Sequence, residues 1–313
     1  MKQILLLTFL ALGCQSASAI TVIENFGSGD HAFTMDFVTI GNPNNAADTT
    51  GSPNRAGSVD YTYSLGKYEV SRDMITKANA VGSLGITMSD ITSYGGNGVN
   101  LPATGISWYE AARYVNWLNT STGGTAAYKF DGSGTFQLWS AGDAGYNANN
   151  LFRNSLAKFF LPSTDEWYKG AYGKADGTWS NFANGTNIAP TAVAGGTDAN
   201  TAVYGQSPST GPADINNAGG LSSYGTMGQG GNVWEWNETP FDGINSTADE
   251  SRELRGGAWD DYSFLLDASV RSLTNPSNEY FSFGFRVASV PEPSALSLLA
   301  IGLGGLAVLR RRK

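Results

Sequence analysis

Polar capping residues set before runs of apolar residues at helical spacing predict three helices. Ser71 precedes Met74, Ile75 and Ala78, and its side chain can accept the free amides at a helix start. Ser107 and Glu110 form a capping box, with Trp108, Ala111, Ala112, Val115 and Leu118 recurring behind it on one face. Ser163 and Glu166 repeat the pattern ahead of Trp167 and Tyr168. Strand-like runs fall at 61–65 and 283–288. Between these segments lie Gly/Asn/Ser/Thr-rich stretches, among them 120–124 and a long one at 186–231. The pattern predicts a mixed α/β class with little regular secondary structure and no internal repeat.

The two ends follow a different logic. Lys2 supplies a positive start, residues 4–12 an apolar run, and Ala17, Ser18 and Ala19 a small-residue cleavage site, the pattern of a secretory signal over 1–19. An alternative is acylation at Cys14, giving a lipid-anchored envelope protein. Nine or so apolar residues are too few to span a bilayer. At the other end Val290, Pro291, Glu292 and Pro293 precede an apolar run at 295–309 and the cluster Arg310, Arg311, Arg312 and Lys313. The run is short for a membrane helix, and the terminal charges should stay cytoplasmic. This arrangement resembles the PEP-CTERM sorting signal. The resemblance implies export in a Gram-negative bacterium and transient anchoring at the inner membrane by a short transmembrane helix. It also implies cleavage near the Pro-Glu-Pro by an exosortase-type enzyme.

Composition narrows the chemistry. The chain has 313 residues, 41% of them hydrophobic, enough for a sizeable core. One Cys and one His, Cys14 and His31, exclude zinc fingers, iron–sulfur clusters and most catalytic zinc sites. Segment 20–289 holds 14 basic and 26 acidic residues, a net charge of −12. That sign repels nucleic-acid phosphates and suits a soluble extracellular life that includes calcium binding.

Five motifs stand in order. They are Ile106-Ser107-Trp108-Tyr109-Glu110-Ala111, Leu161-Pro162-Ser163-Thr164-Asp165-Glu166-Trp167, Gly231-Asn232-Val233-Trp234-Glu235-Trp236, Leu254-Arg255-Gly256-Gly257-Ala258-Trp259 and Gly284-Phe285-Arg286-Val287. Read as chemistry, Glu235 between two tryptophans needs a partner when buried, either calcium or an arginine such as Arg255 or Arg286. The tryptophans serve packing, or stacking against a sugar or peptide.

In order and spacing the motifs resemble the sulfatase-modifying factor family, whose founding members are the formylglycine-generating enzymes. The resemblance covers about residues 35–288 and implies one α/β domain over 20–289, related to the C-type lectin fold. It further implies a calcium site built from the carbonyls of Gly231 and Val233 and the carboxylate of Glu235. The oxygen-bearing residue the family places three positions before the Gly is here Gly228. Family oxidases hold copper through two cysteines a few residues after the Gly-Gly-x-aromatic motif. This chain has Asp260, Asp261, Tyr262, Ser263, Phe264, Leu265 and Leu266 there. Carboxylates are hard ligands and do not replace thiolates on copper(I), so copper is not expected. Asp260 and Asp261 read as a turn or an arginine partner, or as a carboxylate site of another kind. The expectation is an exported, non-catalytic protein that binds extracellular polysaccharide or a surface protein, or has a structural role there. The rival is an oxidase or hydrolase on the same scaffold.

Overall fold

The computed structural model describes residues 20–290. The signal segment with Ala17, Ala19 and Cys14 lies outside the described residues, as do Pro291, Glu292, Pro293 and the apolar run after them.

Two sheets organise the chain. The first strands are β1 (Thr21–Phe26), β2 (Phe33–Ile40) and β3 (Tyr63–Gly66), followed by helices α1 (Arg72–Gly82) and α2 (Trp108–Ser121). Next come the short strands β4 (Lys129–Phe130), β5 (Phe136–Gln137) and β6 (Phe159–Phe160), then helix α3 (Thr164–Tyr172). Strands β7 (Thr191–Val193), β8 (Thr201–Val203), β9 (Trp234–Pro240), β10 (Arg252–Arg255), β11 (Ser272–Thr274), β12 (Phe283–Gly284) and β13 (Ala288–Ser289) complete the order. A five-stranded sheet runs β1-β2-β3-β13-β6 and a four-stranded sheet β11-β10-β9-β12.

All three helices begin at the predicted caps. The Ser71 hydroxyl accepts from the Met74 N–H at 3.3 Å. Ser107 and Ser163 each complete a reciprocal box, the carboxylates of Glu110 and Glu166 accepting from the Ser N–H at 2.9 and 2.6 Å. The apolar face read from α2 is the buried one: Trp108, Ala111, Ala112, Val115 and Leu118 are all fully buried. Trp108 meets Phe136 and Tyr128 edge-on with centroids 5.1 and 5.2 Å apart.

The strand expectations need correction. Strand β3 occupies 63–66, not 61–65. Residues 283–288 form no single strand. The chain pairs parallel with β9 at Phe283 and Gly284, then crosses to the other sheet and enters between β3 and β6 at Ala288 and Ser289. The crossing lets Arg286 reach a buried carboxylate. Strands β1 and β2 belong to a region in which the sequence reading placed no element. Their turn needs glycine at Gly27, at φ +70°, where a Cβ would sit 2.1 Å from the His31 carbonyl oxygen.

Candidate functional site

Strand β9 carries the Trp-Glu-Trp motif through the middle of the molecule. Glu235 is fully buried. Arg286 grips it bidentately, Nε to Oε2 and Nη2 to Oε1, both at 2.6 Å, the fork geometry that makes such pairs strong. The Trp167 indole N–H donates to Oε2 at 2.7 Å. The rest of the guanidinium is spent on the carbonyls of Gly66 and Met227, at 2.9 and 2.8 Å. Of the two arginines considered from the sequence, Arg286 is the partner. Arg255 instead binds Glu253 at 2.5 Å, which also takes Arg271 at 2.5 Å.

Beside this pair lies a second buried carboxylate that the sequence did not single out. Glu69 Oε1 accepts from the Asn232 amide at 2.8 Å, while Oε2 is buried with no hydrogen-bond partner. Burial pushes the Glu69 carboxyl up to about 7, against the lowering pull of Arg286 and with added repulsion from Glu235. Gly228 explains how the carboxylate fits. At φ +78°, a Cβ there would stand 2.5 Å from Glu69 Oε1 and 2.7 Å from Oε2. Glu69 thus fills the space a side chain at position 228 would need. Gly231 is equally constrained, since a Cβ would approach the Val203 carbonyl oxygen to 2.2 Å.

This donor set does not fit a calcium ion. A guanidinium covers both oxygens of Glu235 and position 228 offers no side-chain oxygen. Among the described residues no three His, Cys, Asp or Glu side chains gather to hold a metal. The Glu235 carboxylate that would join the carbonyls of Gly231 and Val233 already carries a cation, the Arg286 guanidinium.

The tryptophans divide clearly. Trp108, Trp167, Trp236 and Trp259 are fully buried, so their role is packing. Trp234 is half-buried and lies beside Asp261, lowering its carboxyl. Asp261 Oδ2 also accepts from the Ala258 N–H at 2.8 Å. Burial pushes the Asp261 carboxyl up and adjacent Asp260 adds to this, while the Ala258 N–H and Trp234 oppose it. Gly256 and Gly257, at φ 100° and 77°, turn the chain sharply before Trp259.

Immediately after, the chain surfaces. Tyr262 is 74% exposed and Phe264 59%, their rings stacked with centroids 6.2 Å apart and planes 13° from parallel. They sit on a 3-10 turn over Ser263–Leu266 whose Leu266 is buried and anchors it. The stretch after the Gly-Gly motif therefore sets two carboxylates, Asp260 and Asp261, beside an exposed aromatic pair. No cysteine occurs in 20–290.

Asp165 and Glu166 also part company. Glu166 and Glu238 both bind Arg153, at 2.8 and 2.7 Å, a buried triad that sequence spacing did not signal. Asp165 instead accepts the Gly57 N–H at 2.7 Å. His31 lies exposed in the turn between β1 and β2.

Solved structures with this fold include Treponema denticola variable protein 1, at TM-score 0.61 and 19% identity over 86% of this chain and 99% of that one. CarF matches at TM-score 0.58 and 18% identity, over 82% and 99%. PvdO from Pseudomonas aeruginosa matches at 0.54 and 15%, over 86% and 98%. At such identities the likeness is one of fold. The C-terminal residues 289–313 match the PEP-CTERM protein-sorting motif, which marks export and processing by an exosortase-type enzyme. Residues 32–290 match the sulfatase-modifying factor enzyme 1-like domain, and the chain belongs to that family.

Proposed function

We propose that this exported protein is a non-catalytic member of its family that binds a ligand at the cell surface or in the exopolysaccharide matrix. The contact surface is the turn carrying Tyr262 and Phe264, beside Asp260 and Asp261. The observation that carries the reading is the stacked pair of exposed rings in the very segment where family oxidases keep their thiols. Flat aromatic faces flanked by carboxylates suit a sugar ring, whose C–H face stacks on aromatics and whose hydroxyls donate to acids. Glu235 in this reading is the structural counter-charge of Arg286 rather than a calcium ligand.

The test is retention of the purified chain on exopolysaccharide from a PEP-CTERM-bearing host. Tyr262→Ala with Phe264→Ala should abolish retention while the fold persists. Equal retention of parent and double variant would overturn the assignment of the surface. Conversion of a cysteine-containing sulfatase peptide to the aldehyde in copper and oxygen would overturn the non-catalytic reading.

A further inference from the structure

Strand β2 alternates buried Phe33, Met35 and Phe37 with Thr34 and Asp36, which therefore face away from the core. With helix α1, the strand-to-helix connection at Tyr68 and the loop carrying Ile215 and Asn216, they border an open cavity of about 340 Å³. That size is within the range of small-molecule sites. None of its lining residues belongs to the Tyr262–Phe264 turn.

The lining selects the charge of a ligand. The first amides of α1 are already spent: Arg72 and Asp73 donate to the Leu101 and Val99 carbonyls, both at 2.9 Å, and Met74 to the Ser71 hydroxyl at 3.3 Å. With Asp73 in its first turn as well, this helix end repels an anion. Lys77 holds the Asp73 carboxylate at 2.7 Å, so an ammonium of the chain itself already sits on one acid of the cavity. Half-buried Asp36 has no such cation; among the described residues no side chain pairs with its carboxylate. Lys67, next along the chain from the Asp36-paired Gly66 region, directs its ammonium over the Tyr68 ring instead, 5.2 Å from the centroid. The lining is left with one uncompensated negative charge.

The remaining groups suit hydroxyls and a ring. The side chains of Asn100 and Asn216 are exposed and, like the Tyr68 hydroxyl, have no hydrogen-bond partner among the described residues. Each can both donate and accept. Met74 and Ile215 add apolar surface. We propose that this cavity binds an amino sugar. The free ammonium of the hexosamine pairs with Asp36, its hydroxyls meet Asn100, Asn216 and Tyr68, and its C–H face lies on Met74 and Ile215. The proposal stands apart from the aromatic turn and does not rest on the reading of that turn.

The test is calorimetric titration of the full chain, purified in detergent, with a glucosamine trimer. The same trimer N-acetylated lacks the ammonium, and putrescine has ammonium groups but no ring. Each should bind about tenfold more weakly or worse, the loss expected for one charge-assisted hydrogen bond. Asp36→Asn, which keeps the shape and removes the charge, should weaken the glucosamine trimer by a similar factor. Asn216→Trp, which fills the cavity from an exposed loop position without altering charge, should do likewise. Asp131→Asn removes the same charge from the exposed turn between β4 and β5 and should leave the affinity unchanged. Undiminished binding by Asp36→Asn, with thermal melts showing a folded domain, would overturn the proposal. So would equal binding of the N-acetylated trimer or of putrescine. An equal loss in Asp131→Asn would reveal diffuse attraction to an acidic chain and overturn it too.

Discussion

Glu235, inside the Trp-Glu-Trp motif, and Tyr262, just past the Gly-Gly motif, follow opposite rules. Around Glu235 the carboxylate is enclosed and matched by two guanidinium nitrogens and an indole N–H, and beyond them lies a protonatable Glu69 with one oxygen unpaired. Around Tyr262 the backbone is held from beneath by Leu266, and the Tyr262 and Phe264 rings project outward, stacked on each other. A motif whose residues are locked by one another can only be kept or lost as a set. A surface turn on a buried anchor can change its side chains without disturbing the frame. The difference separates what keeps the fold from what is available for recognition.

The comparison breaks first at Arg286. Arg286→Met should destabilise the protein by about 3–5 kcal/mol, because Glu235 is left buried without its cation. Urea unfolding measures this, and a variant as stable as the parent would mean that the pair does not govern the region. Glu69 sharpens the same side. Its carboxyl lies at about 7 when folded against an ordinary 4.5, so the folded state binds more protons than the unfolded one between those values. Stability should fall as pH rises from about 4.5 to about 7 and level off above. Thermal melts across that range should lose this component in Glu69→Gln. A local change in the frame is smaller: Ser107→Ala removes one helix cap and should cost about 1 kcal/mol in the same urea assay. At the surface, Tyr262→Ala with Phe264→Ala should move stability by no more than about 0.5 kcal/mol while ligand retention is lost. A large loss of stability there would erase the distinction.

What could be read from the sequence follows the range of the interaction. Ser107 with Glu110, and Ser163 with Glu166, are three residues apart, so their chemistry lies within one window and the helices were legible. The buried face of α2 was legible for the same reason. The bidentate clasp joins positions 51 residues apart, and only the suspicion that Glu235 needs a partner could be raised; calcium, Arg255 and Arg286 were equal candidates on spacing. Arg153 reaches Glu238 across 85 residues, and no local pattern announces it. Segment 283–288 looked like one strand because its composition is strand-like throughout, yet the crossing between sheets is set by what Arg286 must reach. Glu69 was missed because a glutamate in a strand-to-helix connection normally faces water. The hint was Gly228, whose missing side chain makes room for it.

The placement of β12 and β13 gives folding a deadline. Seven consecutive residues, 283–289, add a strand to the four-stranded sheet, supply Arg286 to Glu235, and fill the gap between β3 and β6. A polypeptide made from its N-terminus acquires this keystone last, directly ahead of the Pro-Glu-Pro signal. Maturation of the domain and arrival of its address label are therefore one event, and a copy that stalls before it presents neither a closed core nor a tail to be trimmed.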